Sequence, residues 1–340
     1  RMKITFVAAN FQSLHGGVRA VAIYADRLIK MGHDVLVVSP KRPQPTLRQQ
    51  VSSVLKGKGW IAAETDRDGY FQGLDVPRHF LNHEAPITDA DVPDADIVIA
   101  CFWTTAEWVA NLSPAKGAKV YFVQHHELHV SQTRDRAAAT YRLPFHKIIT
   151  TDWLADIMRT EYGDDLTSKV PYSVDFEQFN APVRGKQATP TVGMMYSTTG
   201  WKGCDISLKA FEIAARQVPN LRLVAMGFHQ PSSDLPLPAG TEFIYHPPQS
   251  RLREIYAQCD AWLFGSRVEG FGMPILEAMA CRTPVIGTPA GAAPELLIDG
   301  AGLLVPLEDP EAMAQAIVRM CRMSETQWRT ISDRAYAKAT

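Results

Sequence analysis

The feature that most constrains the fold is an alternation of strand-like and helix-like segments that occurs twice along the chain. "KITFVAAN" is a short apolar run, and "VRAVAIYADRLIKMG" after it has apolar residues at helical spacing before the next apolar run, "HDVLVVSP". This order predicts a βαβ unit, in which the strands are parallel and a helix covers one face of the sheet. Further apolar runs that extend this sheet lie at 96–102, 119–124 and 147–151.

The alternation restarts near residue 191. "TVGMMYS", "LRLVAMG" and "AWLFGS" are strand-like, and "DISLKAFEIAARQV" between the first two is helix-like. The segment 171–190 contains prolines and no sustained periodicity, which is typical of a linker. We therefore predict an α/β protein of two doubly wound domains, at 1–175 and 176–340.

Composition limits the classes of function. The chain has 340 residues with a hydrophobic fraction of 46%, more than one compact core usually holds. Its 35 basic and 36 acidic residues give a formal charge of -1, which removes any global electrostatic case for nucleic-acid binding. No stretch has the roughly 20 apolar residues that span a bilayer, and the first residues lack the blocks of a signal peptide. We expect a cytoplasmic protein.

The cysteines and histidines do not predict a metal site. The five cysteines are odd in number and widely separated, so they favour neither a disulfide framework nor a zinc site. The ten histidines include no HExxH or comparable spacing. We expect no metal and no cofactor.

The stretch "SRVEGFGMPILEAMA" at 266–280 has the pattern of an anion-binding loop before a helix. Pro274 fits the first position of a helix, where its missing N–H costs nothing. Gly270 and Gly272 allow backbone conformations closed to other residues, and would expose the N–H groups of residues 271–273 at a helix N-terminus that favours anions. The pattern predicts a phosphate-binding site.

Glu269 and Glu277 flank this loop, eight positions apart. Carboxylates accept hydrogen bonds from paired hydroxyls, so the loop and the two acids together suit a ligand that carries a diphosphate and sugar hydroxyls. The spacing of the two glutamates alone is a weak signal, because unrelated sequences match it by chance. The alternative is that Glu277 complements the helix dipole in the first turn and that Glu269 is a solvated loop residue.

At this point the sequence resembles a known family. The segment 266–317, which begins with this stretch, is similar to the donor-binding segment of the retaining GT-B glycosyltransferases of glycosyltransferase family 4 (glycosyl transferases group 1), whose hallmark is the Glu-x7-Glu run. "HGGVRAVAIYADRLIKMGHDV" resembles the family's first glycine loop and helix, "KVPYSVDFEQF" its domain hinge, and "GWKGCDISLKAF" its diphosphate-binding Lys-Gly turn.

The resemblance implies the GT-B fold, in which two Rossmann-like domains face each other across a cleft. The N-terminal domain, 1–175, would be the acceptor side, and the C-terminal domain, 176–340, the side of the nucleotide-sugar donor. The last helix, near 324–340, opens with a Ser-x-x-Gln capping box and would lead back toward the N-terminal domain.

The resemblance also implies roles for residues of the C-terminal domain. Glu277 would hold the ribose hydroxyls of the nucleotide, and Glu269 would contact hydroxyls of the donor sugar. Lys202 would neutralise the charge that grows on the leaving diphosphate. The residues whose backbone N–H groups would bind the phosphates are Phe271, Gly272 and Met273.

In the N-terminal domain, Gly16 and Gly17 would let the backbone approach the phosphate and the sugar. His125 follows a strand end and would reach the donor sugar, with His126 as the alternative register. The catalytic set that the resemblance implies is therefore His125, Lys202 and Glu269.

The sequence departs from the family pattern at one phosphate ligand. The family has an arginine a few residues before the lysine, where this chain has Tyr196 or Ser197. The substitutes we consider are Arg19, Arg267 and Arg282, the last at a position that is usually glycine. The missing arginine motivates an alternative, a non-catalytic GT-B subunit that serves as an assembly partner. A nicotinamide-dependent dehydrogenase is disfavoured because the first glycine loop lacks GxGxxG.

The implied reaction is a retaining, metal-independent transfer of a sugar from a nucleotide-diphosphate donor to a hydroxyl of a glycan or lipid-linked acceptor, in cell-surface polysaccharide or glycoconjugate synthesis. The segment 41–60 is rich in basic residues, has no acid, and carries Val51, Val54, Leu55 and Trp60. It is a candidate for peripheral contact with the inner face of a membrane. Because Gly57 and Gly59 oppose a helix there, a solvated loop is the alternative.

Overall fold

The computed structural model describes residues 1–10, 16–41, 44–57, 59–61 and 69–340. Contacts between residues separate two compact units. The first unit comprises Arg1–Ile149 and Leu154–Lys169, and the second comprises Thr150–Trp153 and Val170–Thr340. The boundary in the structure therefore lies a few residues before the one predicted after residue 175.

Among the described residues, the first unit is built on a seven-stranded sheet in which every pairing is parallel. The strand order is β3-β2-β1-β4-β5-β6-β7. The strands are β1 (Lys3–Val7), β2 (Asp34–Ser39), β3 (Arg78–Phe80), β4 (Ile97–Ala100), β5 (Ala118–Val123), β6 (His146–Ile149) and β7 (Thr167–Lys169). The helices are α1 (Gly16–Lys30), α2 (Leu47–Leu55), α3 (Trp103–Ala110), α4 (Arg134–Thr140) and α5 (Asp152–Tyr162), of which α5 begins in the short segment assigned to the second unit.

The second unit has a six-stranded sheet, also parallel throughout its described pairings, with the order β10-β9-β8-β11-β12-β13. The strands are β8 (Thr191–Met195), β9 (Arg222–Gly227), β10 (Glu242–Tyr245), β11 (Ala261–Phe264), β12 (Val285–Gly287) and β13 (Leu303–Leu304). The helices are α6 (Cys204–Ala215), α7 (Leu252–Ala257), α8 (Met273–Ala280), α9 (Ala293–Leu296), α10 (Pro310–Arg322) and α11 (Glu325–Ala339). The parallel sheets predicted from the two alternations are confirmed.

The core of the second unit lies on both faces of its sheet, because alternate side chains of a strand point to opposite faces. In β11, Trp262 and Phe264 join one buried cluster, whereas Ala261 and Leu263 join the other. A strand buried on both faces has no polar side, which is why these segments read as continuous apolar runs.

The last helix packs within the second unit. Ser324 caps α11 through the predicted capping box with Gln327. Trp328 is fully buried, and its indole N–H donates to the carbonyl of Asp260 at 2.9 Å. No helix among the described residues combines the length and apolar character that crossing a bilayer requires.

Both sheets reverse their strand order at one place. In the first unit this topological switch lies between β1 and β4, and in the second it lies between β8 and β11. Open α/β sheets bind ligands outside the carboxyl ends of the strands at such a switch point. The segments that follow β8 and β11 are therefore the first place to look for a site in the second unit.

Candidate functional site

The turn after β8 packs directly against the loop after β11. Residues Gly200–Lys202 form a single 3₁₀ turn, and Gly203 follows it with φ 62°. A Cβ atom on Gly203 would lie 1.7 Å from the carbonyl oxygen of Gly265, so only glycine permits this approach. The contact brings Lys202 beside residues that are more than sixty positions away in sequence.

Lys202 and Glu269 form an ion pair at this switch point. The lysine Nζ lies 2.7 Å from Glu269 Oε1, and the hydroxyl of Ser266 donates to the same oxygen at 2.9 Å. The lysine side chain is 37% exposed and that of the glutamate 13%, so a ligand has access to the ammonium while the carboxylate is largely enclosed. The structure thus brings together two of the three predicted catalytic residues.

The loop ends at the N-terminus of α8. Gly272 caps the helix with φ 91°, and a Cβ atom there would lie 2.8 Å from the ring of Phe264. The helix begins at Met273, one residue before the predicted start, with Pro274 in its first turn. The first N–H groups of an α-helix have no intrahelical acceptor and carry the positive end of the dipole. The predicted helix N-terminus therefore follows the loop, and the binding of an anion there stays a prediction.

Glu277 lies just past the first turn of α8, in which the sequence analysis placed it. It is the fifth residue of the helix and is only 5% exposed. The hydroxyl of Tyr256, a fully buried residue of α7, donates to Glu277 Oε2 at 2.7 Å. The sequence analysis missed Tyr256 because no motif links it to Glu277, and only the packing of α7 against α8 brings the two together.

Arg267, one of the proposed substitute cations, is engaged elsewhere. Its guanidinium bonds both carboxylate oxygens of Asp205, at 2.9 and 2.8 Å, pairs with Glu308, and donates to the carbonyl of Gly200 at 2.6 Å. The adjacent carboxylates raise the pKa of Arg267, and Arg267 lowers the pKa of Asp205 and of Glu308. This arrangement braces the Lys202 turn and disfavours Arg267 as a phosphate ligand.

Arg282 contacts the C-terminal helix, α11. Its guanidinium lies 3.6 Å from the ring centroid of Tyr336 and pairs with Asp333 at 2.8 Å, both on α11. Its φ of 63° lies in the left-handed region, which accounts for the glycine that the family has there. These contacts disfavour Arg282 as a phosphate ligand. The remaining substitute, Arg19, lies in the first turn of α1 in the first unit.

In the first unit, the start of α1 lies against the residue that follows β5. A Cβ atom on Gly17 would lie 3.3 Å from the side-chain amide of Gln124, so the start of α1 approaches the residue before His125. Gly16 is the first residue of α1, and the rest of the predicted glycine loop, residues 11–15, lies outside the described residues.

The two histidines after β5 have different surroundings. His126 Nε2 lies 2.7 Å from the hydroxyl of Tyr162, and burial lowers the pKa of His126. His125 instead groups with Glu127 and His129, each with one ligand atom within 4.8 Å of the other two. His126 is thus part of an aromatic contact, which favours His125 as the residue of the two that meets a ligand.

The segment 41–60 contains a helix with an exposed apolar face. Thr46 and Gln49 form a capping box that starts α2. Apolar residues recur in α2 at i, i+4, i+7 and i+8, a spacing that places them on one face. They are Leu47, Val51, Val54 and Leu55, which are 77%, 48%, 49% and 82% exposed. The helix ends before Gly57, and residues 42, 43 and 58 of this segment lie outside the described part of the chain.

Residues 176–336 match the family model described as "Glycosyl transferases group 1". The D-inositol 3-phosphate glycosyltransferase of Saccharomonospora viridis is 31% identical over 207 residues, which are 53% of this chain and 48% of that protein. The GDP-mannose-dependent alpha-(1-6)-phosphatidylinositol monomannoside mannosyltransferase of Mycolicibacterium smegmatis is 30% identical over 131 residues, 34% of each chain. The chain thus spans no more than about half the length of these curated relatives.

Solved structures match over the whole chain. HepE of Anabaena in complex with UDP-glucose has a TM-score of 0.70 at 19% identity, covering 100% of this chain and 94% of that one. Sucrose-phosphate synthase of Thermosynechococcus elongatus has a TM-score of 0.69 at 16% identity, with the same coverage of 100% and 94%. These matches show that the fold is GT-B. Residues 176–336, a little under half of the chain, are similar to the glycosyl transferases group 1 family.

Proposed function

We propose that this protein is a retaining glycosyltransferase that moves a sugar from a nucleotide-diphosphate donor to a hydroxyl of a glycan or lipid-linked acceptor. The observation that carries the proposal is the composition of the switch point in the second unit. A cation, Lys202, and a carboxylate, Glu269, lie beside each other there, on the two segments that follow neighbouring strands. The loop that carries Glu269 leads into the N-terminus of α8.

In the proposed donor complex, the diphosphate lies at the N-terminus of α8. The N–H groups of Phe271, Gly272 and Met273 bind its oxygens, and Lys202 supplies a full positive charge. As the bond between the anomeric carbon and the diphosphate oxygen breaks, negative charge grows on the diphosphate. Lys202 and the helix dipole therefore stabilise the transition state more than the bound donor, which is what raises the rate.

The two carboxylates act on hydroxyls. Glu277, held by Tyr256, accepts hydrogen bonds from the ribose, and Glu269 accepts them from the donor sugar while it orients the Lys202 ammonium. His125 contacts the donor sugar from the first unit. Since neither glutamate is assigned as a nucleophile, the acceptor hydroxyl attacks the face that the diphosphate leaves, and its proton passes to the departing phosphate oxygen. The rate enhancement then comes from positioning the acceptor hydroxyl and the donor sugar and from stabilising the charge on the diphosphate.

The transfer needs no metal, because Lys202 and the amides of α8 supply the positive charge that a divalent cation supplies in other transferases.

The acceptor is membrane-associated. The apolar face of α2 and the basic residues around it are suited to an anionic lipid surface, which would bring the chain to a lipid-linked acceptor in cell-surface polysaccharide or glycoconjugate synthesis.

The proposal is tested by donor turnover. UDP-glucose and GDP-mannose, sugar nucleotides of the kind named for the relatives, are incubated with the chain and an anionic lipid extract, with and without EDTA. We expect release of the nucleoside diphosphate from one donor, a product with the donor's anomeric configuration, and no effect of EDTA. An inverted product contradicts the mechanism. Binding without any turnover favours the non-catalytic subunit instead.

A further inference from the structure

Three potential metal ligands converge after β5 in the first unit. His125, Glu127 and His129 each offer one ligand atom within 4.8 Å of the other two, and Glu127 Oε2 lies 3.8 Å from His129 Nδ1. The residues alternate along the chain, and the intervening His126 is instead bonded to the hydroxyl of Tyr162. A search for helical metal-binding spacings such as HExxH does not find this group, because its residues are two positions apart in a loop.

The backbone of this segment is held from the protein interior. The hydroxyl of Tyr141, a fully buried residue, donates to the carbonyl of His125 at 3.1 Å and accepts the N–H of Glu127 at 2.9 Å. Arg134 donates to the carbonyl of Leu128 at 3.1 Å. The three side chains therefore project from a backbone fixed on both sides of Glu127, which lowers the conformational entropy that binding an ion would cost.

The donor set suits a divalent transition metal. Two imidazoles and one carboxylate favour zinc or a neighbouring first-row ion over Mg²⁺ or Ca²⁺, which prefer oxygen ligands. Zinc lies about 2 Å from such ligands, so the atoms that now lie within 4.8 Å need to close to roughly 3.5 Å. The partial exposure of Glu127 and His129, at 21% and 44%, leaves an entry path and room for that adjustment.

We propose that His125, Glu127 and His129 form a binding site for one zinc-type divalent ion. A second consequence rests on the proposed function, in which His125 contacts the donor sugar. An imidazole nitrogen that ligates a metal cannot donate to or accept from a sugar hydroxyl. Ligation of one ring nitrogen of His125 also fixes the orientation of the other, so metal occupancy withdraws the ring from the donor sugar and inhibits transfer. The site is then regulatory and shares His125 with the proposed transfer site.

The test measures the binding of Zn²⁺ to the full chain without any affinity tag, by competition against a chromophoric chelator. His129→Ala and Glu127→Gln remove ligands outside the proposed transfer site, and His229→Ala, an exposed histidine of the second unit, is the matched control. We expect one equivalent of zinc, a loss of affinity on the order of 10- to 100-fold in the two ligand variants, and no change in the control. Circular dichroism verifies that all variants are folded.

Absence of binding, or equal binding by the His129→Ala and His229→Ala variants, overturns the site. This result is independent of catalysis, so it is distinct from a failure of the proposed function. Once a sugar nucleotide that the protein turns over is known, micromolar Zn²⁺ should reversibly inhibit sugar transfer by the wild type and should inhibit the His129→Ala variant much less. Zinc that binds without inhibiting overturns the regulatory role.

Discussion

At the residue scale, the ion pair between Lys202 and Glu269 fixes the position of the lysine ammonium before a diphosphate binds. The Glu269 carboxylate, which also accepts a hydrogen bond from the Ser266 hydroxyl, holds the ammonium at the carboxyl ends of β8 and β11, close to where the ligand would lie. An orientation set before binding reduces the entropy lost on binding. The resemblance implies a second phosphate cation a few residues before the lysine, where this chain has Tyr196 or Ser197.

We predict that Lys202→Ala weakens nucleoside-diphosphate binding far more than Arg267→Ala. Loss of a hydrogen bond to a charged group costs about 1.5–3 kcal/mol, or roughly 10- to 100-fold in affinity. Arg267 is already bonded to Asp205 and Glu308, so its removal should change affinity by less than about threefold. Calorimetry on the two variants measures both values. Equal losses would contradict this ranking of the two cations.

Tyr256 is expected to act through Glu277. Tyr256→Phe removes one hydrogen bond of 2.7 Å without changing the packing of the ring, and should weaken binding of a ribonucleoside diphosphate by about 3- to 10-fold. The loss should disappear with the 2′,3′-dideoxy nucleotide, which has no ribose hydroxyls to bind. A loss of the same size with both nucleotides would mean that Tyr256 supports the unit as a whole and does not orient Glu277.

At the scale of elements, the contact between two glycine turns forms the site. Gly203 approaches Gly265 so closely that a methyl group on either would meet backbone or side-chain atoms within 3 Å. The loop before α8 was predicted from its local pattern, and the Lys-Gly turn was implied by the resemblance to a known family. The sequence could not predict their contact or the Arg267 brace across them, since both depend on the neighbouring positions of β8 and β11 in the sheet.

The Arg267 network predicts an acid-dependent contribution to stability. Arg267 holds the pKa of Asp205 and Glu308 below their ordinary values, so the contribution is complete above the ordinary carboxyl pKa of about 4 and is lost as the pH falls through the lower folded values. Chemical denaturation of wild type and Arg267→Ala between pH 6 and 2.5 should show the two converging at the acidic end. A difference that stays constant over this range would contradict the pairing.

The exposed face of α2 predicts binding to anionic membranes. Vesicles of phosphatidylglycerol should sediment the chain, and vesicles of phosphatidylcholine should not, because basic residues flank the apolar face. Leu47→Ser with Leu55→Ser should reduce binding at least about tenfold, since the two leucines would lose their burial in the bilayer. Leu166→Ser, at another exposed leucine of the first unit, is the control. Unchanged sedimentation of the double variant would leave α2 as an ordinary surface helix.

At the scale of the whole molecule, the fold was predictable and the detail of the site was only partly so. Apolar runs and helical periods suffice for two parallel sheets, because a strand buried on both faces leaves a continuous apolar signal. The roles of Glu269, Lys202 and the loop before α8 came from a resemblance, and they stay proposals. Tyr256 has no local signal, since it meets Glu277 only through packing, and the alternating His125, Glu127 and His129 match none of the ligand spacings that the sequence analysis considered.

Calorimetry of UDP, GDP, ADP and dTDP with the full chain tests whether the second unit binds a nucleoside diphosphate through Glu277. The variants are Glu277→Gln, which keeps the size of the side chain, and Glu212→Ala, an exposed glutamate of α6, as the control. We predict that one nucleotide binds the wild type and the control equally and binds Glu277→Gln about tenfold or more weakly, as for lost hydrogen bonds to a charged group. Equal binding by all three proteins, or no binding by any, would contradict the role of Glu277 in a nucleotide site.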